Sequence, residues 1–501
     1  MKSAAIKNAG VTFFTQLINL ALKFVLQKIF IDNLGVAYLG YNSVFTNILQ
    51  MLNLADLGIG IAITGFLYKP IANNDEVLIN ALMSLYRKVY IIMGIVVALI
   101  GSIVLLLLPF IIPDADCSDL YLRILFFINL IGTVSTYFMA YNRTLLVAQE
   151  KSYFVNFIDT CSNFIFTVLQ VICLVFIPNY VLFLILNVVK NLFANLIITV
   201  ECNKKNIYLK NAVDSQLYQQ YKIDIIKHVK NIFASKIGAY IYYGTDNIII
   251  SIFQGSLMAG YLANYTLITT ALQGIISSIF SAIQASFGSI LVTTEDCKKQ
   301  MQTSDMYMCI NYIIANVCLV CCLFIFQPFI KIYIGKKYLL NMSTVFLLST
   351  NLFLSVMLLV PSQIFVIFKL FTYDKRIVMC SALLNIVISV ALVRVIGIDG
   401  VLIGTLITSV IYLVSRLYIC SKIVFKVSFF RYIKLMISWF VKSGITIFIV
   451  YIISKFMSPG NWIELIGYAI LLCIISLIVP ILLSCKNKDV QSIVRIIYDR
   501  S

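Results

Sequence analysis

The sequence predicts an all-α, polytopic membrane protein with about fourteen transmembrane helices. Three observations carry this prediction. The chain of 501 residues is 61% hydrophobic and only 12% charged, whereas a soluble domain is about 45–50% apolar and about 25% charged. Many apolar runs reach the roughly 20 residues that a helix needs to cross the hydrocarbon core of a bilayer. Within these runs, apolar and polar residues do not alternate as they do in membrane-spanning strands.

Fourteen apolar runs are long enough to span a bilayer. The predicted spans are residues 11–31, 43–67, 90–112, 121–145, 154–177, 180–200, 231–253, 259–290, 308–330, 341–368, 377–395, 399–420, 437–455 and 464–484. The first run contains Lys23 and Lys28, and no small-residue cleavage site follows it. We therefore expect the first run to be a membrane helix rather than a cleaved signal peptide.

Lysines and arginines predict which side of the membrane each loop faces. If the N-terminus is inside, the inner segments hold 28 of the 38 Lys and Arg residues and the outer segments hold six. Because positive loops are retained in the cytoplasm, we expect both termini to be cytoplasmic. The same asymmetry explains the net charge of +17 without a nucleic-acid partner, and the inner loops would face anionic lipid.

Motifs that would indicate an enzyme are missing from the sequence. The chain has a single histidine, His228, and no Walker loop, Gly-rich phosphate loop or nucleophile elbow, so we expect neither ATP hydrolysis nor a cofactor. Its thirteen cysteines lack metal-ligand spacing and are interpreted as small apolar residues. The predicted outer loops are too short to form a catalytic domain, which disfavours an enzyme.

Two similar stretches suggest that the chain has repeated halves. YLGYNSVFTNILQ at 38–50 is echoed by YLANYTLITTALQ at 261–273, at a constant offset of 223 residues. Each stretch begins the second predicted helix of its half, and repeated halves are common in transporters. The predicted organisation is an N-terminal six-helix lobe (1–200), a basic cytoplasmic connector (201–230), a C-terminal six-helix lobe (231–420), and helices 13 and 14 with a cytoplasmic tail (421–501).

Polar side chains share faces of several predicted helices. Helix 1 has a stripe at spacings of three and four residues, formed by Gln16, Asn19, Lys23 and Gln27. Stripes on helices 6, 7 and 8 include Lys190, Asn191, Lys236, Tyr240, Tyr243 and Gln273. A charge at the membrane centre costs roughly 2.5–3.5 kcal/mol on insertion scales. The stripes therefore favour a shared water-filled cavity, and hydrogen bonding between helices is the alternative interpretation.

The excess of lysine in this predicted cavity favours an anionic, hydroxyl-rich ligand. A lysine offers a point charge to phosphate. Amide side chains can satisfy sugar hydroxyls, and a tyrosine can stack on a sugar face while its hydroxyl stays available. A polyprenyl-diphosphate-linked oligosaccharide has this chemistry, because its head is too polar to cross hydrocarbon unaided and its tail must stay in lipid.

Several stretches resemble the polysaccharide repeat-unit flippases of bacterial capsule and O-antigen pathways. They are the N-terminal region from MKSAAIKNAG to LADLGIGIAI, followed by LYKP, ALMSLYRKVY, YNRTLLVAQEKSYFVNFID and YYGTDNIIIS. These flippases belong to the MOP superfamily, together with multidrug exporters and the peptidoglycan lipid flippase. The resemblance implies two six-helix lobes related by a twofold axis, alternating access without ATP, and a lipid-tail groove formed by helices 13 and 14.

The resemblance also assigns individual residues and partners. It places Arg143 in the substrate site and makes Asp56 and Asp246 candidate ion-coupling carboxylates, although the family commonly has Glu where Asp56 stands. It implies an undecaprenyl-diphosphate type of substrate, contacts with membrane lipids, a polysaccharide polymerase and chain-length machinery as partners, and the bacterial inner membrane as location. The alternative is a multidrug or metabolite exporter of the same fold, for which an acidic cavity is expected.

Overall fold

The computed structural model describes residues 2–53, 66–211, 219, 244–293, 296–368 and 370–484. Throughout this part of the chain, the regular elements are helices. The all-α prediction is therefore confirmed for the residues described. The chain divides into two compact units, Met1–Gly260 and Tyr261–Ser501.

The first unit is built from long apolar helices and two shorter ones. They are α1 (Lys2–Leu34), α2 (Val36–Leu52), α3 (Glu76–Ile111), α4 (Asp119–Tyr137), α5 (Ala140–Ala148), α6 (Ser152–Phe176), α7 (Tyr180–Lys205) and α8 (Asp246–Gln254). Helix α9 (Ser256–Thr293) begins in the first unit and continues into the second.

The second unit is also built from long apolar helices and one short helix. Its further helices are α10 (Cys297–Tyr333), α11 (Met342–Met357), α12 (Leu359–Ile367), α13 (Phe371–Ile396), α14 (Ile398–Ile419), α15 (Phe430–Ser454) and α16 (Trp462–Leu482). Helix α10 lies at the centre of this unit. The ring of Tyr312 on α10 stacks on the ring of Trp439 on α15, with centroids 5.3 Å apart. Buried Asn316 of the same helix donates to the carbonyl of Ser476 in α16 at 3.0 Å.

Eleven segments of the described chain are long and apolar enough to cross a membrane. They correspond to eleven of the fourteen predicted spans, and the remaining three predictions overlap α2, α8 and α9. Large apolar side chains cover the outer faces of these helices, for example Phe110, Phe176 and Val395. Since such faces suit hydrocarbon rather than water, the protein is a multi-pass membrane protein.

One membrane segment in each unit is broken into two helices. In the second unit the break falls at Leu358, between α11 and α12. Pro361 has no N–H with which to bond the carbonyl of Met357 four residues earlier. The buried side chain of Asn311 takes this role, because its Nδ2 donates to the carbonyl oxygens of Val356 at 2.9 Å and Met357 at 3.2 Å.

The break in the first unit separates α4 from α5 at Phe138 and Met139. Directly before it, the hydroxyl of buried Tyr137 donates to Oδ1 of Asn53 at 2.9 Å. This contact fixes the end of α4 against the end of α2. The break also sets the direction of α5, the short helix that carries Arg143.

Helices α2 and α9 begin with the same backbone geometry. Gly35 precedes α2 and Gly255 precedes α9, and both have φ of +88°, while Gly40 and Gly260 lie in contact five residues further along each helix. Equivalent positions therefore differ by 220 residues. The sequence echo has an offset of 223, so its identical letters do not occupy equivalent backbone positions, and the predicted register of the repeat was wrong by three residues.

Candidate functional site: a basic, amide-rich cavity in the first unit

A cavity of about 570 Å³ lies among helices α1, α4, α5, α6 and α7. Thirteen of its fifteen lining residues are polar or charged. Small-molecule sites commonly have volumes of roughly 300–1,000 Å³ and are mainly apolar. This cavity has the volume of a ligand site but a lining that suits water, and the helices that form it belong to segments long and apolar enough to cross a membrane.

Five residues named in the sequence analysis line this cavity together. They are Gln16 and Asn19 on α1, Arg143 on α5, and Lys190 and Asn191 on α7. Lys23 and Gln27, also predicted, continue the stripe of α1, where Lys23 is exposed and Gln27 is half-buried. Lys23 follows the lining residue Asn19 by four residues on the same helix, so it lies about one turn from the cavity lining.

The other predicted site residues fall elsewhere. Gln273 is half-buried on α9 in the second unit. Asp246 is half-buried in the first turn of α8, where the N-terminal end of a helix favours a carboxylate. Four further predictions lie outside the described residues, namely Asp56, Lys236, Tyr240 and Tyr243.

Arg143 joins three helices of the cavity wall. Its Nη1 and Nη2 donate to the two carboxylate oxygens of Asp159 on α6 at 2.6 and 2.7 Å, and its Nε donates to Oδ1 of Asn195 on α7 at 3.0 Å. The side chains of Arg143 and Asp159 are 29% and 31% exposed. This two-pronged pairing fixes the guanidinium geometrically, while leaving the pair accessible from the cavity.

Amide side chains join α1 to α6 across the cavity. Nδ2 of Asn163 donates to Oδ1 of Asn19 at 3.2 Å, and Nδ2 of Asn19 donates to Oγ1 of Thr160 at 3.4 Å. The hydroxyl of Thr160 in turn donates to the carbonyl of Asn156 at 2.9 Å. Part of the polar stripe thus acts as a contact between helices, which was the alternative interpretation, and it also presents amides to the cavity.

The residues of α6 were missed at the sequence level. One face of α6 carries Asn156 and, three, four and seven residues later, Asp159, Thr160 and Asn163. The same spacing rule that identified the stripe of α1 would have found them. Asp159 lies in the quoted stretch SYFVNFID, but its partnership with Arg143 crosses a turn between helices and depends on the tertiary structure.

Positive charge predominates in the cavity. Its described lining residues include two cations, Arg143 and Lys190, and one carboxylate, Asp159. Within the described part of the chain, Lys190 forms no salt bridge. A multiply charged anion would neutralise the excess positive charge of the lining, whereas a cation would add to it.

The cavity lining is rich in groups that recognise a ligand through charge and hydrogen bonds. The described residues contain no group of three or more His, Cys, Asp or Glu side chains that could hold a metal ion. Donors come from a guanidinium, an ammonium and several amides, and acceptors come from amide and hydroxyl oxygens. Such a set can hold an anionic group and hydroxyl groups at the same time.

Comparison with known proteins gives no match to a family model and no match among curated sequences. Solved structures do match. One is the lipid II flippase MurJ in an inward closed conformation, with a TM-score of 0.73 and 14% identity over 96% of this chain and 99% of that chain. Another is an inward-facing multidrug resistance MATE family transporter of the MOP superfamily, with a TM-score of 0.62 and 14% identity over 83% and 98%.

A third match is a MOP superfamily transporter from Pyrococcus furiosus described as having a binding pocket of reversed polarity. Its TM-score is 0.54 at 14% identity, over 83% of this chain and 94% of that chain. Identities this low carry information on fold and not on substrate. The three matches extend over most of each chain and share one architecture. This chain therefore has the fold of the MOP-superfamily transporters.

Proposed function

We propose that this protein is a flippase that moves a polyprenyl-diphosphate-linked oligosaccharide from the cytoplasmic to the outer leaflet. The undecaprenyl diphosphate type of carrier would present repeat units for capsule, exopolysaccharide or O-antigen assembly. The observation that carries the proposal is the basic, amide-rich cavity of the first unit. The fold supports it, because one protein with this fold is a lipid II flippase.

A diphosphate matches the cationic part of the cavity. Arg143 and Lys190 line it on two different helices, and Lys23 lies one turn beyond the lining residue Asn19 on a third. Cations held within membrane-spanning segments are costly without counter-charge. An entering diphosphate would supply that counter-charge.

An oligosaccharide matches the amide part of the cavity. Asn156, Asn163 and Asn191 line it beside the cations. Primary amides both donate and accept hydrogen bonds, as sugar hydroxyls do. The sugar head could therefore exchange its water shell for protein contacts while the polyprenyl tail stays in lipid.

The wider assignment follows the same proposal. Residues 1–200 and 231–420 would form two lobes that alternate access, joined by 201–230, and 421–501 would add two helices for the lipid tail. Lys236, Tyr240, Tyr243 and Gln273 would serve the same cargo, and Asp56 and Asp246 would couple transport to an ion. The protein would lie in a bacterial cytoplasmic membrane with both termini inside, act without catalysing a chemical reaction, and hand its product to a polysaccharide polymerase and chain-length machinery.

The alternative function is export of drugs or metabolites, because a multidrug resistance transporter of the MATE family has the same fold. Cationic drugs would require carboxylates that outnumber cations in the cavity, because like charges repel at short range. The described lining has the opposite balance. A binding comparison separates the two functions directly.

The test uses the purified full chain in lipid nanodiscs, with undecaprenyl diphosphate and the cation ethidium as probes. We expect saturable binding of the diphosphate and none of ethidium. Lys190→Gln should weaken diphosphate binding about tenfold, the effect of losing roughly 1.4 kcal/mol. Lys455→Gln, at an exposed position at the end of α15, is the matched control and should bind normally. Ethidium binding without diphosphate binding would reject the flippase proposal in favour of the exporter.

A further inference from the structure

We propose that Asp159 competes with the cargo diphosphate for the guanidinium of Arg143. Cargo binding would displace the carboxylate towards Lys190, and cargo release would let it return to Arg143. The inference rests on the proposed function, since it requires an anionic cargo in this cavity. It makes Asp159 a positioning residue that acts through Arg143 and sets how tightly the cargo is held.

The hydrogen bonds of Arg143 show why competition is required. Nη1 and Nη2 are both engaged by Asp159, and Nε is engaged by Asn195. A guanidinium binds phosphate best through two parallel N–H groups. In every pair of parallel N–H groups that Arg143 could offer, at least one N–H group already donates to Asp159 or Asn195. A phosphate can therefore bind in the two-pronged manner only by displacing Asp159 or Asn195.

The exposure of the two partners identifies which one gives way. Asn195 is 6% exposed, whereas the side chain of Asp159 is 31% exposed. Asp159 also carries the same sign of charge as the incoming phosphate, so the two anions repel each other when they share one guanidinium. The carboxylate is thus the ligand that the diphosphate meets and replaces.

Lys190 provides a second cation for the displaced carboxylate. It lines the same cavity on α7, while Asp159 lines it on the neighbouring helix α6. Because Lys190 forms no salt bridge among the described residues, it can accept the carboxylate without breaking another ion pair. The exchange keeps Asp159 neutralised while Arg143 holds the cargo.

A competing carboxylate has a clear use in transport. A site that translocates its ligand must bind well enough to load and weakly enough to unload. A two-pronged bond between arginine and a diphosphate in a partly buried cavity would, by itself, slow release. Asp159 weakens the bound state by offering Arg143 an alternative partner at the moment of release.

The experiment measures binding and transport by variants that remove the carboxylate charge. Asp159→Asn keeps the shape of the side chain, and Asp159→Ser is a second charge-free variant in case the first does not fold. Asp119→Asn makes the same chemical change at an exposed position in the first turn of α4 and serves as the control. The probe is farnesyl diphosphate titrated into the full chain in nanodiscs, followed by leaflet transfer of the lipid-linked oligosaccharide in proteoliposomes.

We expect Asp159→Asn or Asp159→Ser to bind the diphosphate about fivefold more tightly, equivalent to about 1 kcal/mol, and to transfer the oligosaccharide more slowly at saturation. Asp119→Asn should behave like the unmodified protein in both measurements. If Asp159 merely holds Arg143 in place, its removal should instead weaken diphosphate binding. Weaker or unchanged binding in the charge-free variants would overturn the competition while leaving the proposed function intact. Absence of diphosphate binding by the unmodified protein would reject the proposed function, and the competition with it.

Discussion

Gly40 and Gly260 cross with no room for a side chain on either. A Cβ atom built on Gly40 would lie 2.0 Å from the carbonyl oxygen of Ser256, and one built on Gly260 would lie 2.4 Å from the carbonyl oxygen of Val36. The contact is reciprocal, because Val36 and Ser256 are the first residues of α2 and α9. The two helices approach as closely as their backbones allow.

Gly40→Ala should therefore destabilise the protein. The new methyl group meets backbone rather than a flexible side chain, and overpacking of this kind costs about 1–3 kcal/mol. Gly274→Ala is the matched control on α9, since nothing lies within 4 Å of its Cβ position, and alanine there should be neutral or slightly stabilising. The measurement is the thermal unfolding midpoint of the purified chain. Equal midpoints for the two variants would show that the helices can separate without cost.

Asp374→Ala should destabilise the second unit more strongly than the loss of an exposed ion pair would. Arg416 on α14 is only 6% exposed and pairs with Asp374 of α13 at 2.6 Å, and its guanidinium also lies 4.3 Å from the ring centroid of Tyr412. Removal of the carboxylate leaves a buried cation, which typically costs about 3–5 kcal/mol.

The control for this prediction is Glu201→Gln, which breaks the exposed pair between Lys205 and Glu201 on α7. An i,i+4 pair on a helix surface contributes little to stability, so its loss should be nearly silent. Denaturant unfolding of both variants gives the comparison. Similar losses in the two would mean that Asp374 is not required to neutralise Arg416.

Asn311→Leu should be destabilising, and Pro361→Ala should partly rescue it. Asn311 supplies the donor for the carbonyl of Met357, and its loss leaves that carbonyl without this partner at a cost of about 1–3 kcal/mol. Alanine at position 361 restores a backbone N–H four residues after Met357. In a double-mutant cycle, the double variant should lose less unfolding free energy than the two single variants lose when their losses are added. Simple additivity would contradict the assigned role of Asn311.

Lys23→Gln should reduce glycan export while protein abundance stays normal. The substitution keeps length and polarity but removes a charge that lies one helical turn from the lining residue Asn19. Lys23→Arg should keep partial function, because the charge persists with a different geometry. The measurement is the amount of lipid-linked intermediate on the cytoplasmic leaflet, determined together with protein abundance. Normal export by Lys23→Gln would show that this charge is dispensable, and equal loss with both variants at reduced abundance would indicate packing instead.

The helices and part of the cavity followed from the sequence because they depend on local periodicity. Asn19 and Lys190 were found from polar stripes at helical spacing, and both line the cavity. The pairing of Arg143 with Asp159 was not predictable in this way, because it requires the break before α5 and the packing of α5 against α6. The register of the repeat was also missed, since three residues amount to nearly one helical turn and apolar letters match at either offset.

The most direct test of flippase activity is leaflet transfer in a reconstituted system. Purified full chain in proteoliposomes is given a fluorescently labelled undecaprenyl-diphosphate-linked oligosaccharide, and a membrane-impermeant quencher reports how much label lies in the outer leaflet. We expect protein-dependent transfer without ATP, slowed by Lys190→Gln and unaffected by Lys455→Gln. Transfer no faster than in empty liposomes, with ethidium transported by the same preparation, would contradict it.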